Sequence, residues 1–195
     1  MKIAEVKAEA RREGFAQRAQ AHSAPTAAWA ATSAADHLLS HLDSLIAAGA
    51  PAPAIASGYL PIRTEIDPRP AMEALLGRGI RVCVPVIVAR AAPLAFREWN
   101  PGAALVPGPF GASVPRGGAW LEPDLLLVPL VSFDAGRGRL GYGGGFYDRT
   151  LAKLRARAPR LAVGIAYQGQ FCPSVPLEPT DAPLDAVVTE TGVLC

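Results

Sequence analysis

An α/β fold, built as a single three-layer domain over residues 1–195 with a mainly parallel, Rossmann-like sheet flanked by helices, is predicted by three features of this sequence. Strand-like apolar runs alternate with segments of helical periodicity from residue 54 onward. One run, LLLVPLVSF at 125–133, is apolar throughout, as a strand covered on both faces requires. The chain opens with two N-terminal helical segments and no strand between them, so both are expected to pack on a body formed later.

Residues 2–21 are dense in strong helix formers. Glu5, Glu9 and Glu13 lie four apart, as do Lys7 and Arg11, so each set shares a stripe; taken alone, the Lys7–Arg11 pair reads as a solvated face. SAPTAAW at 23–29 breaks the pattern. A second helix is expected over 33–48, where Leu38, Leu42, Leu45 and Ile46 make an apolar face and GAPAP ends it. A strand at 54–60, a short helix at 70–76 and a β-rich strand at 81–88 follow, with an edge strand at 94–99. The 125–133 strand carries Pro129 near its end, where a missing N–H is tolerated. A glycine-rich loop leads into a helix over 146–158, and 161–166 and 186–189 supply the last strands. Residues 90–122 are rich in proline and glycine and weakly periodic, the profile of a functional loop.

Apolar residues make up 50% of the chain and charged residues 18%, enough to form a core and too little charge for a disordered polymer. A formal net charge of +2 gives no electrostatic case for a nucleic acid or a membrane surface as partner. The opening MKIAEVKAEARREGF contains no apolar signal core, and no apolar run approaches the ~20 residues of a membrane span, so a cytoplasmic protein is expected. Cys83, Cys172 and Cys195 are odd in number and far apart, forming neither a disulfide framework nor a CxxC metal site. Cys83 is expected to be buried and inert, and Cys195 exposed. His37 and His41 stand four apart with no acidic partner in place and read as surface histidines, with His22 remote from both.

The chemistry concentrates in VSFDAGRGRLGYGGGFYDR, residues 131–149. This stretch leaves a buried strand, carries six glycines and opens a helix, so it sits at the carboxyl end of the sheet, where ligands bind in open α/β folds. Glycines there let backbone N–H groups approach an anion, and the helix N-terminus adds partial positive charge. Gly136-Arg-Gly-Arg-Leu-Gly141 formally matches GxGxxG, but no Asp or Glu lies between Asp148 and Glu178 to take a ribose, and no Gly-Lys-Ser/Thr follows as a Walker loop needs. Asp148 beside such a cradle suits Mg²⁺, which takes one or two carboxylates plus phosphate oxygens; the bland alternative makes it a helix cap and Tyr147 a packing residue. The glycines, arginines and Asp148 together favour a nucleotide phosphate site.

This stretch resembles the hallmark of the 5-formyltetrahydrofolate cyclo-ligase (methenyltetrahydrofolate synthetase) family. The family pattern, Pro-x-x-x-Phe-Asp and then Arg-Leu-Gly-x-Gly-x-Gly-aromatic-Tyr-Asp, reads here Pro129-Leu-Val-Ser-Phe133-Asp134 and Arg139-Leu140-Gly141-Tyr142-Gly143-Gly144-Gly145-Phe146-Tyr147-Asp148. The resemblance implies that Lys7, Arg11, Arg139, Tyr142, Phe146, Tyr147 and the glycines at 141 and 143–145 hold ATP as co-substrate, and that Asp148 holds Mg²⁺. It implies folate contacts from Glu65, Phe110, Pro115 and Tyr147, and catalytic roles for Tyr147 and Arg139. The closing segment from Asp181 to Glu190 also looks like the family's tail. Two departures bear on the substrate side: many members have Glu-Pro or Gln-Pro where this chain has Val114-Pro115, and His-Asp where it has Thr180-Asp181.

The activity so implied is ATP- and Mg²⁺-dependent cyclisation of 5-formyltetrahydrofolate to 5,10-methenyltetrahydrofolate, by phosphorylation of the formyl oxygen and attack of N10, in a monomer or weak dimer. Competing readings are an ATP-dependent relative with a changed acceptor, and a non-catalytic folate- or nucleotide-binding regulator. A dinucleotide-dependent oxidoreductase ranks last for want of the ribose acid.

Overall fold

The computed structural model describes residues 2–195, the side chain of Phe110 excepted. Two long helices, α1 (Ile3–Ser23) and α2 (Ala27–Ala47), precede β1 (Ile55–Ser57), α3 (Arg69–Gly77) and β2 (Arg81–Val86). Four short strands follow: β3 (Ala95–Glu98), β4 (Leu105–Pro107), β5 (Ser113–Pro115) and β6 (Trp120–Leu121). Then come β7 (Leu125–Pro129), β8 (Ser132–Phe133), β9 (Arg139–Leu140), α4 (Phe146–Arg155) and β10 (Leu161–Ile165). β11 (Ala186–Thr189) and β12 (Gly192–Leu194) close the chain.

The main sheet runs β12-β11-β10-β7-β1-β2-β3-β6. Its five central strands, β11 to β2, are parallel, and β12, β3 and β6 are antiparallel edges. Alternation along β7 explains its unbroken apolar sequence. Leu125 and Leu127 pack toward Leu38, Leu42, Met72 and Leu75 of α2 and α3, while Leu126 and Val128 pack toward Leu151 and Leu154 of α4. This gives the expected layers of helices, sheet and helix. Strand order reverses between β1 and β7, which opens the crevice in which such sheets bind ligands.

Several boundaries differ from those expected. The break after α1 is short, and α2 begins at Ala27 because Ala30, Ala31, Ala34 and Ala35 are buried small residues that let its first half approach the sheet. β7 stops at Pro129, which cannot donate to a ladder; Ser132–Phe133 instead pairs with β9 in a separate hairpin. The 90–122 segment is not one loop, since β3 and β6 extend the sheet and β4–β5 form their own hairpin. α4 ends at Arg155, ahead of Pro159.

α1 lies across the carboxyl ends of the strands, and its buried residues are Lys7, Gly14 and Arg18, spaced so that one face carries all three. Gly14 is required by close approach: a Cβ there would sit 2.1 Å from Ser132 Oγ and 2.8 Å from Val131 Cγ1. The helix backbone thus rests on the start of the β8–β9 hairpin, and its cationic side chains reach over the crevice.

Candidate active site

The glycine-rich stretch divides into two parts with different work. Asp134 ties the hairpin turn, its Oδ1 accepting from the amides of Gly136 (3.0 Å) and Gly138 (2.9 Å) and its Oδ2 from Val175 N (2.8 Å). Gly136 and Gly138 therefore shape a turn, and the formal GxGxxG match carries no cradle. The cradle is formed by residues 141–145, which line a cleft of about 1240 Å³ and lead into α4 through Gly145. Gly143 (φ 94°) and Gly145 (φ 62°) adopt left-handed backbone that side chains disfavour. A Cβ on Gly144 would stand 2.8 Å from the Phe146 ring.

Cations converge on this end. Arg11 Nε donates to the Gly141 carbonyl at 2.9 Å and holds the loop against α1. Lys7, only 6% exposed, donates to Glu178 Oε2 at 2.7 Å and to Asp181 Oδ2 at 2.6 Å. The solvated stripe expected for Lys7 is thus a buried ion pair with the tail, 171 residues away in sequence for Glu178. Burial works to lower the Lys7 pKa, but the hydrogen bonds to Asp181 and Glu178 outweigh it and hold the ammonium above its ordinary value. For Asp181 burial works upward, and the Lys7 ammonium brings the carboxyl below its ordinary range. Arg139, on β9, bonds both the Ala182 carbonyl and Asp148 Oδ1, and Asp148 Oδ1 also accepts from Ala182 N at 3.0 Å. The segment from Glu178 to Ala182 therefore straps the cationic end of the cleft.

The other end is built around Glu65, in the loop after β1. Its Oε2 accepts from Ile62 N at 2.9 Å, and Oε1 stands 3.9 Å from the Arg18 guanidinium. Burial pushes the Glu65 carboxyl above its ordinary pKa, opposed by the Ile62 amide and Arg18. Tyr147, in the first turn of α4, lines the same cleft; its hydroxyl is buried and has no hydrogen-bond partner among the described residues. Burial, reinforced by the Glu65 carboxylate, drives the phenol far above its usual pKa. Tyr147 is therefore a standing O–H donor directed at no protein acceptor, a polar group that a ligand oxygen would satisfy.

Of the residues expected at the site, Lys7, Arg11, Glu65, Arg139, Tyr142, Phe146, Tyr147, Asp148 and the glycines at 141 and 143–145 all line this cleft. Pro115 does not: along β5 successive side chains face opposite ways, so Val114 lines the cleft and Pro115 is buried behind it. The side chain of Phe110 lies outside the described residues. His37 is half-buried rather than free on the surface, its Nδ1 2.8 Å from the Thr189 carbonyl. Cys83 is buried and Cys195 exposed, as expected. Arg18 was not singled out from sequence, although it continues the Lys7–Arg11–Gly14 stripe at helical spacing.

Among the described residues no group of three or more His, Cys, Asp or Glu is placed to hold a metal ion alone. Asp148 places its carboxylate at the glycine-walled end of the cleft, with Oδ1 engaged by Arg139 and Ala182 N. No helix among the described residues is long and apolar enough to cross a membrane.

The family model described as the 5-formyltetrahydrofolate cyclo-ligase family matches residues 3–190. A 5-formyltetrahydrofolate cyclo-ligase of Escherichia coli (strain K12) is 36% identical over 141 residues, covering 69% of this chain and 77% of that protein. One from Mycolicibacterium smegmatis is also 36% identical over 141 residues, covering 67% and 71%. Among solved structures, Aquifex aeolicus 5,10-methenyltetrahydrofolate synthetase superposes with a TM-score of 0.70 at 28% identity, over 96% of this chain and 91% of that one. A Mycoplasma pneumoniae 5,10-methenyltetrahydrofolate synthetase shares the fold, with a TM-score of 0.71 at 23% identity over 94% and 98% of the two chains.

Proposed function

This chain belongs to the 5-formyltetrahydrofolate cyclo-ligase family, and from that premise we propose that it joins N10 to the formyl carbon of 5-formyltetrahydrofolate at the expense of ATP, giving 5,10-methenyltetrahydrofolate, ADP and phosphate. The observation that carries this reading is the composition of one cleft: a glycine-walled cationic part with Lys7, Arg11 and Arg139, and in the same cleft a buried carboxylate, Glu65, with the Tyr147 hydroxyl that has no partner among the described residues.

A formyl oxygen on nitrogen is a poor leaving group. Its attack on the γ-phosphorus breaks the bond to ADP and turns it into a phosphate ester. The N10 lone pair then adds to the formyl carbon, and phosphate departs with the former formyl oxygen, carrying away the proton that N10 loses. Little covalent work falls to the protein, so positioning and charge neutralisation supply the acceleration. The backbone at 141–145 and the α4 N-terminus receive the phosphates, with Lys7 and Arg11 over them. Arg139 neutralises charge on the transferring group. Tyr147, kept as a phenol by burial, donates to oxygen near the reacting centre. Glu65 orients the pterin through its N–H groups. Asp148 would hold Mg²⁺, which would supply positive charge to offset that of the phosphates. For the phosphates to reach Lys7, Glu178 and Asp181 must give up that ammonium.

The test is an ultraviolet absorbance assay of methenyl product with MgATP added last, run beside Asp148→Asn. Asparagine can still accept from Arg139 and Ala182, so the variant removes charge while leaving the strap tied. ATP-dependent product from the native protein, sharply reduced in D148N, is the expected result. Tight MgATP binding with no product would remove the cyclo-ligase assignment and favour a changed acceptor or a non-catalytic binder.

A further inference from the structure

Arg18 is 1% exposed, and the carboxylate nearest to it, Glu65 Oε1, lies 3.9 Å away, beyond a direct hydrogen bond. A buried guanidinium without a tight ion pair is costly, and an apolar side chain would fill the same space more cheaply. The cation instead spreads its donors over three segments. Nε donates to Thr64 Oγ1 (3.1 Å), Nη1 to the Leu130 carbonyl (3.4 Å) and Nη2 to the Tyr142 hydroxyl (2.6 Å). It also lies over two neighbouring rings, 5.3 Å from Phe15 and 5.2 Å from Tyr142.

Those three segments are not arbitrary. Thr64 precedes Glu65 in the loop after β1, Leu130 follows β7, and Tyr142 lies inside the glycine cradle. Arg18 thus reaches across the switch point between β1 and β7 and joins the carboxylate end of the cleft to its phosphate end. The guanidinium fork makes this possible, because its donors sit on three separate nitrogens and each faces a different segment, whereas those of an ammonium radiate from one.

We propose that Arg18 is a positioning residue that couples the two halves of the site: through the Tyr142 hydroxyl and Thr64 it fixes Glu65 relative to the glycine cradle, so that filling the nucleotide end strengthens binding of the pterin. This rests on the cyclo-ligase reading for the identity of the two ligands.

The test measures the affinity of 5-formyltetrahydrofolate by calorimetry with and without a non-hydrolysable MgATP analogue, in the native protein, Arg18→Lys, Tyr142→Phe and the double variant. The native protein should bind the folate about tenfold more tightly with the analogue present, within the usual range of coupling between sites. In each single variant the enhancement should fall to about twofold or less; the Tyr142 hydroxyl also acts on Glu65 directly, so Arg18→Lys is the variant that isolates Arg18, and the double variant should lose no more than Tyr142→Phe. Circular dichroism checks that each protein is folded. Tyr142→Phe removes a hydroxyl from a part-exposed side chain, so it reports even if R18K does not fold.

No enhancement in the native protein, or full enhancement in folded R18K or Y142F, would overturn the inference. The catalytic assay separates it from the activity: coupled binding without methenyl product defeats the cyclo-ligase reading and leaves Arg18 in its role. Product with coupling unchanged in the variants defeats the Arg18 role alone. Absence of folate binding defeats both.

Discussion

Replacing Lys7 by Met strips the strap of its cation and the cradle of one phosphate ligand, and the two losses can be measured separately. The Lys7 side chain is 8% exposed, whereas its partners Glu178 and Asp181 are 43% and 20% exposed. Once released, both carboxylates can regain water. The cost therefore falls between the ~0–1 kcal/mol of a surface pair and the ~3–5 kcal/mol of breaking a fully buried one, at about 2 kcal/mol. For a chain of this size that is a drop in Tm of roughly 4–8 °C.

The pH dependence follows from the directions of the two shifts. The Lys7 pKa is raised above 10.5, so its contribution is complete below that value and disappears as pH climbs through the folded pKa. The Asp181 pKa is lowered below 3.8, so its contribution is present above that value and disappears as pH falls through the folded pKa. The stability gap between native protein and K7M should be widest near neutrality and close at both extremes. Loss of one charged hydrogen bond to phosphate is worth about 1.5–3 kcal/mol, so KM for ATP should rise roughly 10- to 100-fold, with little change in KM for the folate. Differential scanning calorimetry from acid to alkali and steady-state kinetics provide both readings. A folded K7M with unaltered KM for ATP would refute Lys7 as a phosphate ligand and leave it as a clamp on the tail.

Glu178→Gln weakens the claim of the strap on Lys7; KM for ATP should fall a few-fold in initial-rate assays, while denaturant unfolding registers a loss of at most about 1 kcal/mol, since Glu178 is well exposed. Tyr147→Phe deletes a hydroxyl that has no partner among the described residues, so stability should stay within about 1 kcal/mol while kcat drops by about 100-fold, as loss of a preorganised donor does. Comparing urea midpoints with turnover separates these effects, and an undiminished kcat would exclude the hydroxyl from the reaction. Gly14→Ala places a methyl 2.1 Å from Ser132 Oγ and should cost about 1–3 kcal/mol as α1 is lifted from the hairpin, with KM for ATP rising as Lys7 and Arg11 move with it.

Much of the architecture is legible in short stretches of sequence, because the forces that shape it act between near neighbours. The apolar run at 125–129 reads as a strand covered on both faces, and the glycines at 143 and 145 meet their need for left-handed backbone within the same few residues. The motif from Arg139 to Asp148 places the cradle, the Arg139–Asp148 pair and Tyr147 within one hairpin and one helical turn. What local pattern could not supply is which distant groups meet. Lys7 and Arg11 have the spacing of an ordinary solvated stripe; the groups they bond belong to a tail and a loop more than a hundred residues away. Whether Val114 or Pro115 faces the cleft depends on the register of a two-stranded hairpin, in which a shift of one residue reverses every side chain. Arg18 is one more arginine on a charged helix until the chain folds. The ends of β1 and β7 and the glycine cradle then close around it, and desolvation makes a long-range charge cheap or costly according to partners that only the tertiary structure brings within reach.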